Sequence, residues 1–94
     1  MNIRRLLLDV DKALARPTIL QISEAIGRVP GVEGSNITVT NIDTETVGMD
    51  VTIEGANLDY DAIVAAIEQT GAVVHSIDEI VAGDRIVNRV PRSR

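Results

Sequence analysis

The chain has 94 residues, one domain's length, enough to bury roughly 60 to 65% of its unfolded surface without staples. It has no cysteine, which excludes disulfides, thiol nucleophiles, iron–sulfur clusters and soft-metal carriers, and fits a reducing compartment. A net charge of −5 and a single aromatic residue, Tyr60, argue against nucleic-acid binding, which relies on cationic surfaces and on rings that stack bases.

Residues 3–11, IRRLLLDVD, alternate as a strand, with Leu6, Leu8 and Val10 on one face and Ile3, Arg5, Leu7 and Asp9 on the other. The apolar run Leu6-Leu7-Leu8 ends at Asp9, too short for a signal core or a membrane span, so a cytoplasmic protein without membrane contact is expected. From Pro17 the period changes: Ile19, Ile22, Ile26 and Val29 share a helical stripe. Pro17 suits the first turn, and the helix should stop before Pro30-Gly31.

Two alternating strands follow. Ile37 and Val39 alternate with Asn36, Thr38 and Thr40; after Asp43-Thr44-Glu45, Val47, Met49, Val51 and Ile53 alternate with Gly48, Asp50, Thr52 and Glu54, which predicts a hairpin. The stretch NLDYDAIVAAIEQTG predicts a second helix capped by Asn57, with Asp59 and Asp61 at the positive end of its dipole. Ile63, Ala66 and Ile67 form its buried stripe, and Gly71 ends it. AVVHSIDEIVAG, residues 72–83, predicts the last strand.

The order βαββαβ, with right-handed crossovers, yields an α+β two-layer sandwich of ferredoxin-like type: an antiparallel sheet in order 4-1-3-2 with both helices on one face. Residues 1–84 form this domain, and residues 85–94 a basic tail. Arg4, Arg5, Arg85, Arg89, Arg92 and Arg94 sit at the two ends, leaving residues 6–84 at −11. Such a tail is either a solvated end or a strap for an acidic face of a neighbouring subunit.

The second and fourth strands are the sheet edges, and neither carries the lysine or proline that blunts natural edges. Self-association into a ring or dimer is expected, with Asn36, Thr38, Thr40, Ile77, Ile80, Arg85 and Arg89 as assembly candidates. On the open sheet face Asp9 falls close to Asp50, with His75 or Ser76 beginning the neighbouring fourth strand, and the oxygens gathered there are of the kind that Ca²⁺ or Mg²⁺ prefers. Polar residues on a solvated face also need no ligand to explain them. His75 is the only histidine, so a triad or a histidine cluster within one chain is excluded, while a proton-shuttling role beside Asp9, Asp78 or Glu79 stays open. Asp78 and Glu79, being adjacent on a strand, should point to opposite faces, which suits no two-carboxylate mechanism.

The stretches IRRLLLDV, GVEGSNITV with VTIEG, and above all GAVVHSIDEIVAGDRIV resemble the small archaeal proteins grouped as domain of unknown function 211. The resemblance spans residues 3–87 and implies a ferredoxin-like fold and a homo-oligomer in archaeal cytoplasm, without an established activity. The motif positions it carries over as ligand or metal candidates are Asp9, Asn36, His75, Ser76, Asp78 and Glu79, without assigned chemistry. The chain departs from that pattern in DKALARPT and in its arginine-rich tail. A looser similarity to heavy-metal-associated domains fails, because their first loop carries a cysteine pair. Amino-acid-binding modules of the ACT type share the framework and hold ligands at subunit interfaces.

The reading is a self-assembling, non-catalytic binding module holding a small ligand or a hard cation between subunits. Its rivals are a small ferredoxin-like enzyme, an isomerase or hydrolase with His75 as acid or base, and a purely structural oligomer.

Overall fold

A computed structural model describes residues 1–92; Ser93 and Arg94, the end of the expected basic tail, lie outside the described residues. Six elements follow one another: β1 (Ile3–Ala13), α1 (Ile19–Gly27), β2 (Val32–Ile42), β3 (Thr46–Gly55), α2 (Tyr60–Gln69) and β4 (Val73–Ala82). The sheet order is β2-β3-β1-β4 with every neighbouring pair antiparallel, a ferredoxin-like α+β sandwich in the expected strand order.

The alternation in β1 and β3 sorts their side chains as predicted. Leu6, Leu8, Val10, Met49, Val51 and Ile53 are fully buried, and Ile22, Ile26, Ile63 and Ile67 of the helices close over them. Burying one such branched side chain contributes about 1.5–3 kcal/mol, so this two-layer contact is the main source of stability. Ile19, expected in the stripe of α1, is instead 37% exposed, because the helix begins at that residue.

Both helix starts differ from expectation. Pro17, expected in the first turn of α1, precedes the cap, which is Thr18: its hydroxyl accepts from the Gln21 N–H at 3.1 Å while the Gln21 side chain accepts from the Thr18 N–H at 2.9 Å. This reciprocal box satisfies two orphan donors, and Pro17 lies buried just outside it. In α2 the cap is Asp59, which accepts from the Ala62 N–H at 3.1 Å, rather than Asn57. Gly71 ends α2 at φ +103°, the left-handed conformation predicted for it.

β1 runs two residues beyond the predicted strand, to Ala13. Its last inward position is Lys12, 8% exposed, whose ammonium donates to the carbonyls of Ala13 at 3.1 Å and Leu14 at 3.0 Å. The β2–β3 turn closes on Asp43, whose Oδ1 accepts from the N–H groups of Glu45 and Thr46, both at 2.9 Å. These bonds favour the charged carboxylate and hold its pKa below the ordinary value.

The edges carry more protection than the sequence suggests. β4 slips register against β1 between Ile3 and Arg5, Leu7 and Leu8, and Asp9 and Val10; β2 slips against β3 near Val32 and near Thr40. Each slip is a bulge-type device that twists an edge. The expected pair of unblunted edges is corrected: they lack lysine and proline but are bulged.

Candidate functional site

The face of the sheet away from the helices is where polar side chains collect. The register fixes one row across all four strands: Thr38 opposes Asp50, Asp50 opposes Asp9, and Asp9 opposes Ser76. Two carboxylates thus sit directly across a strand pair, where side chains lie about 4.5–5.5 Å apart and like charges repel. Two residues along β1, Asp11 opposes Gly48. A Cβ at Gly48 would lie 3.6 Å from Asp11 Oδ1 and 3.7 Å from Thr40 Oγ1, so the missing side chain opens a shallow floor between oxygen atoms of β1 and β2. Thr40 borders that floor because the register that pairs Thr38 with Asp50 and Val39 with Met49 carries it to Gly48, where the β2 bulge adds Asn41.

No ion pair among the described residues involves Asp9, Asp11 or Asp50. The one cation of β1 on this face, Arg5, is engaged elsewhere. Its Nε lies 2.7 Å from Glu54 Oε2, and its Nη1 lies 3.0 Å from Asn88 Oδ1 and 3.8 Å from Glu79 Oε1. The bond to Glu54 raises the Arg5 pKa further, so this guanidinium stays charged at every relevant pH.

The predicted site residues therefore divide. Asp9, Asp50 and Ser76 are brought into one row, and Asp78 joins it through a 2.8 Å hydrogen bond from Ser76 Oγ. Glu79 opposes Leu7 and belongs to the Arg5 cluster. Asp78 and Glu79 do not separate onto opposite faces as expected: the bulge between Ile77 and Glu79 breaks the alternation, and both line a surface hollow with Leu7, Val87, Asn88 and Arg89. His75 is exposed, has no register partner and makes no hydrogen bond among the described residues. Among the assembly candidates, Asn36 accepts from Thr38 Oγ1 at 2.6 Å, Ile77 and Ile80 are 41% and 51% exposed, and Arg85 and Arg89 are exposed on the tail.

Sequence reasoning missed Asp11 and the Gly48 floor, although the spacing of Asp9 and Asp11 by two places both on one strand face. Among the described residues no group of three or more His, Cys, Asp or Glu is arranged to hold a metal ion. No helix of the described residues is long and apolar enough to cross a membrane.

Residues 4–94 match the model of a family described as Uncharacterized ArCR, domain of unknown function 211. The chain is also similar to an uncharacterized protein of the archaeon Methanocaldococcus jannaschii, 45% identical over 95 residues, covering 99% of this chain and 97% of that protein.

Proposed function

The chain belongs to the domain of unknown function 211 family, and we propose that it is a self-assembling, non-catalytic binding module that holds a cationic ligand or a hard cation between copies. The observation that carries this reading is the direct pairing of Asp9 with Asp50 beside Asp11 and the open Gly48 floor. A pair of opposed carboxylates weakens the free sheet by roughly 0.2–1 kcal/mol, and a bound cation removes that cost. Hydroxyls of Thr38, Thr40 and Ser76 border the row, giving the all-oxygen surroundings that Ca²⁺ and Mg²⁺ favour. One copy supplies too few ligands, so the remainder of a six- to eight-oxygen shell comes from water and a second copy.

Assembly is supported by the apolar groups that border the β4 edge. Val73, Ile77 and Ile80 are 41–56% exposed there. Burying such groups against another copy contributes roughly 25 cal/mol per Å² of apolar surface. The cysteine-free composition fits a reducing cytoplasm as the place of action. Among the described residues the His75 side chain makes no hydrogen bond.

The test is thermal unfolding of untagged protein in chelator and in added Ca²⁺ or Mg²⁺. A ligand at 100 times its Kd stabilises by about 2.7 kcal/mol. The unaltered protein should gain Tm with one of these cations, and Asp9→Asn should not. Equal Tm in chelator and in millimolar Ca²⁺ or Mg²⁺ would sink the cation-binding part of the reading.

A further inference from the structure

Between Arg28 and Arg85 the chain holds eleven acids and no lysine or arginine. β2 and β3 lie inside that stretch and carry Glu33, Asp50 and Glu54 with no cation, so the β2 side of the sheet offers acids alone. At its start, Glu33 and Glu54 flank a surface hollow with Ser35, Asn36 and Thr52. Arg5 already satisfies Glu54, whereas Glu33 has no ion pair among the described residues. β2 is also an outer strand, hydrogen-bonded on its β3 side alone.

The tail has the complementary chemistry. Residues 85–92 carry Arg85, Arg89 and Arg92 together with Ile86, Val87 and Val90, which are 47%, 74% and 85% exposed. These β-branched residues lie outside every strand of their own sheet, which is strand chemistry without a strand partner. We propose that residues 85–92 of one copy add as a strand along the β2 edge of a second copy, with Arg89 seated in the hollow beside Glu33.

The occupant is a second copy for a geometric reason. The chain's own tail leaves the sheet at Gly83, whose N–H donates to the Asn2 carbonyl at 2.7 Å. Its next ties are Arg4 Nη1 to the Asp84 carbonyl at 3.2 Å and Arg5 Nη1 to Asn88. Val87, Asn88 and Arg89 therefore sit above the β4 side of the open face. The β2 edge is three strands away, about 14 Å at 4.7–4.9 Å per strand. A segment held over a sheet face cannot also pair edge-on with the opposite border of the same sheet, but it can extend from the β4 side of one copy to the β2 edge of the next. Main-chain bonds then give affinity and the arginine–glutamate contact fixes register. The resulting junction is heterologous, the kind that closes into a ring.

This inference rests on the assembly proposed above, and the experiment separates the two. Native mass spectrometry and sedimentation are run on untagged protein, on Arg89→Glu, on Glu33→Lys, on the double variant, and on a chain ending at Asp84. Neither Arg89 nor Glu33 makes an ion pair within the copy, so the substitutions leave the fold intact, checked by circular dichroism. Each single reversal should weaken association at least tenfold, and the double variant should recover most of it. Association of the unaltered protein should also fall as salt is raised, since exposed charges are screened within about 10 Å at 0.1 M. Wild-type assembly in all four variants overturns the tail proposal and leaves self-assembly standing. Loss of assembly on truncation without any response to either reversal overturns the seat at Glu33. A monomer at every concentration of unaltered protein overturns both.

Discussion

Asp50 carries two opposing effects. It opposes Asp9 across the strand pair and Thr38 on the other side, so in the free protein it adds repulsion, and in the proposed cation complex it would supply a ligand oxygen. Asp50→Asn should therefore raise stability in chelator by roughly 0.2–1 kcal/mol, the scale of an opposed like-charge pair, while abolishing the Tm gain from added cation; chemical denaturation with and without Ca²⁺ reads both. Asp43 behaves in the opposite sense. Backbone N–H groups of Glu45 and Thr46 lower its pKa from the ordinary 3.8. Its contribution is present above that value and is lost as pH falls through the lower folded-state pKa. Asp43→Ala should accordingly be less stable near neutrality and lose stability less steeply below about pH 4, as followed by unfolding at a series of pH values. Of these residues, Asp9 and Asp50 were legible because strict alternation places them on the open face. Asp11 shares the same parity, but its role depends on Gly48 and Thr40 across two strand pairs, a meeting set by the registers of β1 and β2 against β3 that no local pattern announces.

At the scale of elements, the hydrophobic periods and turn residues specify strand order and helix placement, while the caps decide where each helix begins. Thr18→Ala removes one half of the capping box and should cost about 1 kcal/mol. Pro17-Thr18 reads equally well as a first helical turn or as the residues before it; the Gln21 side chain reaching back to the Thr18 N–H selects the second. A similar ambiguity hid Asp59, since Asn57 and Asp59 both have cap chemistry and the carboxylate reaching Ala62 N–H settles it. The β3–α2 connection has a steric demand. A Cβ at Gly55 would fall against the Gly31 carbonyl oxygen and the Leu58 side chain, both fixed by the fold. Gly55→Ala should then cost upward of about 3 kcal/mol, seen as a fall in the denaturation midpoint. The bulges of β4 escaped the sequence for a plain reason. VVHSIDEIV alternates imperfectly, and whether His75 and Asp78 are slipped out of register depends on β1, not on β4 itself.

For the whole molecule, the distribution of charge is as informative as the fold. The helix-side core is apolar, the open face carries Asp9, Asp11 and Asp50, β2 carries Glu33, and the described tail carries Arg85, Arg89 and Arg92. A monomer would leave Val87 and Val90 in water and the Asp9–Asp50 repulsion uncompensated. The proposed assembly would place the tail of one copy along the β2 edge of another, beside Glu33. Sandwich topology was readable from the chain because it rests on local periods, and family membership because stretches such as GAVVHSIDEIVAGDRIV resemble that family. The surfaces on which the proposed assembly rests emerge only once the register is known.

The most direct measurement is the native mass of untagged protein with and without chelator. The account predicts a discrete oligomer that carries extra mass corresponding to bound cations and loosens when the chelator removes them. A bare monomer, unchanged by chelator at every concentration, would contradict it.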